Sequence, residues 1–364
     1  MKEPIIIVGA GLSGLHAASL LHSQGIECKV LDARDRVGGR VLTRTAEDSS
    51  DMGMFDLGPT WFWPDHEPVI SGLVKELGLP TFEQHTEGAM LFEQSSKGPV
   101  QRHIPPEGSF AKSFRFRGGV HALIESISRN LPAETVELET RVIQIRTNDE
   151  GKMTIEAEQV GGKKKTIVAG AVILAMPPRL VAQTINFAPS LPEDLIKRLM
   201  KKPTWMAGHA KVVAVYREPF WREEGLSGQA MSWAGPLQEI HDASPQTGYG
   251  ALFGFFGLPA RTRQELGKER VLSLVTDQLV RLFGPSAEKT VSLLYKDWSS
   301  DPKTAVESDL EPLGGFPNYG PVPTWKENII FAGTETSPEH GGHLEGALVS
   351  AERAVGEVMR QYNR

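Results

Sequence analysis

Gly9, Gly11 and Gly14 stand in the spacing Gly-x-Gly-x-x-Gly directly after the β-branched run Ile5-Ile6-Ile7-Val8. Missing side chains at that spacing do phosphate chemistry. The first glycine permits a tight turn and the second lets the backbone approach a pyrophosphate. The third lets the next helix pack close to its strand, with its N-terminal N–H groups facing the phosphates. Asp32 follows Gly14 by eighteen positions, closing a second apolar run, Cys28-Lys29-Val30-Leu31. A carboxylate there accepts from an adenosine ribose hydroxyl. Glycine-rich turns that bind nothing are common, but here strand, helix, second strand and acidic residue all follow in order. The chain then turns again on Gly38 and Gly39 between Arg34, Arg36 and Arg40, able to meet a pyrophosphate from a second side. A nicotinamide dehydrogenase does not need that return. Two single residues could act on a substrate. Lys211 interrupts the apolar run Ala210 to Val215; it is either buried with a polar partner or an edge-strand lysine facing solvent. His343 opens the stretch Leu344-Glu345-Gly346-Ala347, as a substrate contact or general base, or as a structural residue.

The elements that must position these residues are legible as periodicity. The first helix runs to about Ser23 with Leu15, Ala18 and Leu21 on one face, and Gly25 ends it. Strands are expected over Val136 to Ile145, Ile167 to Ala175 (stopped by Met176-Pro177-Pro178), Ala210 to Val215 and Phe253 to Phe256. Residues 268–283 carry apolar side chains at helical spacing and read as core. At 364 residues the chain suffices for two domains. Its 39 basic and 45 acidic residues include no polybasic tract beyond Lys163-Lys164-Lys165, a solvated hairpin turn after Gly161-Gly162, so no nucleic-acid partner is expected. No apolar run reaches membrane-spanning length, and a first strand at Ile5 argues against a signal peptide. The single cysteine, Cys28, excludes an internal disulfide, and a soluble cytoplasmic protein is expected. His103 and His209 lack metal-ligand spacing, and no metal is expected. Glu339 and His340 read as an exposed loop, although they are close enough in sequence to reach the cavity of His343.

On these motifs the chain resembles the FAD-dependent amine oxidase family, whose members carry an acidic-Ala-Arg-x-x-x-Gly-Gly-Arg run after the second strand; Asp32 stands where glutamate is usual. The segments Phe55 to Trp61, Phe114 to Gly119, Thr140-Arg141-Val142, Arg217 to Arg222, Gly333-Thr334-Glu335-Thr336 and Leu344-Glu345-Gly346-Ala347 extend the resemblance over most of the chain. It implies an α/β fold: a Rossmann-like FAD-binding domain from residues 1–78, 118–200 and 310–364, with a discontinuous, mixed-sheet substrate domain from 79–117 and 201–309. It places Gly9, Gly11, Gly14, Asp32, Arg34, Gly39, Arg40, Gly58, Pro59, Thr60, Trp61, Val142, Gly333, Glu335, His343 and Leu344 at the cofactor. Trp61, Phe316 and His343 would line the substrate pocket, and Lys211 aligns with the family lysine that holds a water beside flavin N5.

Departures from the family are equally specific. Phe316 replaces the cysteine that can bond to FAD, so the cofactor is expected to be noncovalent, with Cys28 a small buried hydrophobe. His343 stands where monoamine oxidases have a tyrosine. The proline- and glycine-rich interval Leu79 to Ser113 cannot form the helical insert that roofs longer relatives, so the site is either more open or closed by a partner chain, as in a homodimer. Thr60-Trp61-Phe62 supplies no arginine for a substrate carboxylate, which favours an uncharged-tail amine over an α-amino acid. The expected activity is oxidation of an amine to an imine, with molecular oxygen as acceptor and hydrogen peroxide as product. A desaturase or carbon–carbon dehydrogenase of the protoporphyrinogen and carotenoid type, or a non-catalytic flavoprotein, remains open beside it.

Overall fold

The β-branched run Ile5–Val8 is a strand buried along its whole length, and it holds the middle of a five-stranded parallel sheet. The order is Ile329–Phe331, Ala171–Leu174, Ile5–Val8, Cys28–Leu31, Val136–Glu137. The computed structural model describes residues 3–47, 49–106, 108–148 and 152–362. Helix Leu12–Ser23 crosses one face of this sheet with Leu15, Ala18 and Leu21 fully buried. It packs so closely that a Cβ on Gly14 would lie 1.9 Å from the Gly9 carbonyl oxygen. Gly25 ends it in the left-handed region, φ 71°, its N–H donating to the His22 carbonyl. Helix Leu344–Tyr362 packs on the same helix, with Leu348, Ala351 and Ala354 buried. There the hydroxyls of Ser13 and Ser350 lie 3.1 Å apart and both accept from the Gly333 N–H.

Two of the expected strands each divide between sheets. Val136 to Ile145 becomes Val136–Glu137 in the parallel sheet and Thr140–Thr147 in a four-stranded sheet, with Glu139 at φ 50° between them. Ile167 to Ala175 likewise breaks at Gly170 into the end of Lys164–Ala169 and the whole of Ala171–Leu174. Apolar side chains pack on the core from both halves, so the hydrophobic pattern runs on while the backbone changes sheet. The Gly161-Gly162 turn joins antiparallel strands Met153–Gln159 and Lys164–Ala169, as a hairpin should; Lys163 and Lys164 are exposed, whereas Lys165 pairs with Glu137.

The third large sheet has seven strands, in the order Ser292–Asp297, Ala210–Tyr216, Gly250–Phe256, Leu237–Asp242, Leu226–Ser232, Ala89–Glu93, Gln101–His103. Leu226–Ser232 and Ala89–Glu93 run parallel and the other neighbours antiparallel, making the sheet mixed. Helix Lys268–Phe283 covers it with Val271, Val275, Leu279 and Leu282 buried. The described residues of 79–113 form short strands and no helix, two of them extending this sheet. A three-residue strand, Thr81–Glu83, pairs with Phe114–Phe116. Among the described residues no helix is long and apolar enough to cross a membrane.

Candidate active site

The turn after Ile5–Val8 opens onto a cavity of about 790 Å³ that continues between the parallel and seven-stranded sheets. Its walls explain why glycine is required at each position. Gly9 adopts φ 109°, and a Cβ there would lie 2.6 Å from the Ala175 carbonyl oxygen. Gly11 differs: nothing lies within 4 Å of where its Cβ would stand, because that space is the cavity. The second glycine turn closes on the first, with Gly38 N–H donating to Ala10 O at 2.8 Å and Gly39 packed on the Gly11 backbone. Asp32 ties both turns together, accepting from Ala10 N–H and Arg34 N–H, each at 2.7 Å. A carboxylate has about four acceptor positions, so capacity remains for a hydroxyl on the cavity side. Thr140, Arg141 and Val142 line the same end. These residues fit a dinucleotide: bare backbone where phosphates must approach, and an anionic acceptor for the ribose.

The arginines are fixed from behind. Arg34 makes a bidentate contact with Asp301 at 2.9 and 3.1 Å and donates to Thr304. Burial pushes the Asp301 carboxyl up, but bonds and charge from Arg34 and Lys296 outweigh it and hold it at about 2. Arg40 is paired with Glu335 at 2.6 and 3.0 Å. Glu335 is fully buried, also accepts from Trp205 N–H, and does not line the cavity. Arg40, which Glu335 orients, lines the cavity in its place. The chain passes close by here: a Cβ on Gly58 would lie 2.0 Å from the Arg40 carbonyl oxygen, and Pro59, Thr60 and Trp61 continue the wall.

Lys211 lies on an interior strand of the seven-stranded sheet, which removes the edge-strand alternative. Its side chain is buried; Nζ donates to the Gly58 carbonyl at 3.0 Å and to the Thr60 hydroxyl, 4.0 Å from the centre of the Phe253 ring. Burial pushes its ammonium down to about 7, against the attraction of Asp56 and with the repulsion of Arg115. Trp61, packed edge-on to His241 and held through Nε1 by Gln84, forms the adjoining wall. Gln238 and Glu239 also line the cavity, and Glu239 is kept ionised by a hydrogen bond from His241 that outweighs its burial.

His343 lines the cavity immediately before helix Leu344–Tyr362, and Gly333 and Leu344 stand beside it. Its Nδ1 is 2.8 Å from Glu67 Oε1, and its ring leans on Trp63 with centroids 5.5 Å apart. Glu67 is buried, and its Oε2 accepts from Trp63 N–H. Glu345 binds the Val69 and Ile70 N–H groups at the start of helix Pro68–Glu76, satisfying orphan donors and fixing Glu67 beside the C-terminal helix. Sequence reading missed Glu67; it lies 276 positions from His343 and no local pattern marks it. Phe316, expected in the substrate pocket, is 63% exposed and packs on Trp205 and Tyr319 instead. Trp205 is the aromatic that reaches the cavity there. Cys28 is buried off the cavity, its thiol pushed up to about 11 by burial and Glu27.

A Rossmann-like sheet, two facing glycine turns and a mixed-sheet second layer over one cavity define a dinucleotide-binding protein. The chain matches the flavin containing amine oxidoreductase family over residues 92–359 and a NAD(P)-binding Rossmann-like domain over 7–77, and it belongs to the flavin-containing amine oxidase family. Putrescine oxidase of Kocuria rosea is 26% identical across 99% of this chain and 95% of its own, over 478 aligned positions against 364 residues here, so it carries segments this chain lacks. Human flavin-containing amine oxidase B is 24% identical across 98% of this chain and 86% of its own. Among solved structures, a putrescine oxidase triple mutant superposes with TM-score 0.83 at 24% identity, covering 99% of both chains. Cyclohexylamine oxidase from Brevibacterium oxydans IH-35A gives 0.80 at 21%, covering 100% of both. The enzyme is thus a flavin-dependent oxidoreductase with FAD as its cofactor.

Proposed function

We propose that this enzyme oxidises a small amine with an uncharged tail at its α-carbon, giving an imine that water hydrolyses. When bound, FAD supplies N5 as the two-electron acceptor for the α-hydrogen and returns the electrons to molecular oxygen, yielding hydrogen peroxide. The observation that carries this reading is that Lys211 and His343 stand on the wall of the one cavity that the glycine turns also line. His343 takes the amine proton at Nε2 while Nδ1 bonds to Glu67, which holds the ring in place. The nitrogen then has the free lone pair that hydride departure needs. Lys211, its ammonium pushed down to about 7 by burial, places positive charge beside the reacting oxygen when protonated. Trp61 and Trp63 give the substrate apolar walls.

Each sheet takes its strands from one of two residue sets, 1–78 with 118–200 and 310–364, or 79–117 with 201–309. This supports assigning the first set to FAD and the second to substrate. A cytoplasmic enzyme, working as a monomer or a homodimer, completes the reading. The test is anaerobic mixing of the FAD-loaded enzyme with a panel of amines, followed by the loss of visible flavin absorbance. Bleaching by at least one amine is expected. No bleaching by any amine, together with bleaching by a polyene or a porphyrinogen, would replace this reading with carbon–carbon dehydrogenation.

A further inference from the structure

Glu67 meets not one imidazole but two. Its Oε1 is 2.8 Å from His343 Nδ1 and 4.0 Å from His340 Nδ1, and one potential ligand atom from each of the three residues lies within 4.8 Å of the others. A carboxylate that only needs to hold His343 has no use for the second ring. We propose that Glu67, His340 and His343 form a binding site for a divalent transition ion, zinc foremost, at the edge of the cofactor cavity.

Donor type selects the ion. Two imidazole nitrogens and one carboxylate oxygen suit zinc and its first-row neighbours, whereas calcium and magnesium demand oxygen ligands. Bonds of about 2.0–2.1 Å in tetrahedral geometry set ligand atoms roughly 3.3 Å apart. The present separations from Glu67, 2.8 and 4.0 Å, lie on either side of that value, and rotation of the two rings must close the spacing between the histidines as well. Three protein ligands leave a fourth position open, which is the composition of an exchangeable site and not of a closed structural one.

The surroundings hold the donors in place. Trp63 N–H occupies Glu67 Oε2 at 2.8 Å and leaves Oε1 to the rings. The loop that carries both histidines is pinned by Thr334, whose hydroxyl donates to the His343 carbonyl and accepts from Gly342 N–H. His340 sits at φ 51°, a left-handed conformation that disfavours a residue with a Cβ. Strain of this kind persists where the surrounding structure over-determines it, and here it delivers the second imidazole to the carboxylate. Glu67 is buried at the base, while the side chains of His340 and His343 are about one-third exposed, so an ion arriving from solvent meets the rings before the carboxylate.

Binding at Nδ1 of His343 replaces its bond to Glu67 and draws electron density from the ring, so an ion there makes Nε2 a poorer base for the amine proton. This inhibition rests on the role of His343 proposed above; the binding does not.

The experiment uses tag-free, FAD-loaded enzyme in a non-chelating buffer. Zinc is titrated by calorimetry, and cobalt(II) by its d–d bands to the red of the flavin. One ion per chain is expected. His340→Gly suits the left-handed backbone, and retained flavin absorbance shows that it folds. It should weaken binding at least tenfold, as should Glu67→Gln. Absence of binding to the wild type, or equal binding to the wild type and both variants, would overturn the site. Zinc should also slow amine turnover in the wild type and less so in His340→Gly. Zinc bound in a His340-dependent manner without loss of turnover would uphold the site and refute the role given to His343.

Discussion

Lys211→Met tests whether the buried lysine is a titrating group or merely a cation held in place. Burial lowers its pKa from 10.5 to about 7. In the folded chain the lysine therefore sheds its proton near neutrality, whereas in the unfolded chain it keeps it until about pH 10.4. Between those limits the unfolded state binds more protons, so the lysine's contribution makes stability rise with pH. The whole shift is worth about 5 kcal/mol, and roughly 2–3 kcal/mol of it falls between about pH 7 and pH 9. Losing the bonds to Gly58 and Thr60 offsets the variant's curve at every pH without creating a slope. Urea unfolding of the FAD-free proteins should therefore show the stability of the wild type relative to Lys211→Met increasing by that amount from neutral to mildly alkaline pH. Parallel curves would refute the desolvated lysine. With FAD restored, stopped-flow measurement of the two half-reactions should show one slowed, most directly reoxidation by oxygen; wild-type rates in both would make Lys211 structural.

The paired glycine variants separate folding from cofactor binding. Gly14→Ala must displace helix Leu12–Ser23, because its Cβ would lie 1.9 Å from the Gly9 oxygen, and should lower the melting temperature; Gly11→Ala meets open space and should spare the fold while losing FAD. Asp32→Ala should weaken FAD retention roughly tenfold to a hundredfold, from a charge-assisted hydrogen bond of about 1.5–3 kcal/mol, and change turnover of the fully loaded enzyme less. Equilibrium dialysis against FAD reads the first effect, and unchanged affinity would remove Asp32 from the ribose site. Glu335→Gln should destabilise the fold by about 3–5 kcal/mol in denaturant titrations, because it leaves the Arg40 guanidinium without its buried counter-charge. Acid precipitation should release yellow FAD into the supernatant, and fluorescence remaining on the denatured chain would contradict noncovalent binding.

Elements with a strong local signature were legible. Ile5–Val8, Leu12–Ser23, Cys28–Leu31 and Lys268–Phe283 all lie where glycine punctuation and apolar period place them. The breaks at Glu139 and Gly170 were not, because apolar packing on both sides of a change of sheet leaves the apolar pattern continuous. At the site, the expectation that a buried Lys211 needs polar partners found them in Gly58 and Thr60. Glu335 was recognised as a motif residue, but its partner Arg40 is 295 positions away, and only the fold shows that the pair uses up the carboxylate. Phe316 was judged by alignment with a vanished cysteine, which says nothing of which way its loop faces.

The Ser13–Ser350 contact beneath Gly333 joins the beginning and the end of the chain at the cofactor cavity. Ile329–Phe331 is the last strand in sequence of the parallel sheet, and helix Leu344–Tyr362 supplies Leu344 and Ala347 to the cavity wall. The glycine turns therefore hold only part of the cavity wall, and Gly333, Thr334, Gly342, His343, Leu344 and Ala347 add to it from the far side of the sequence. A chain cut before Ile329 would keep the glycine turns but lose the Gly333 N–H that Ser13 accepts from, and it would leave the backbone groups on one side of Ala171–Leu174 unpaired.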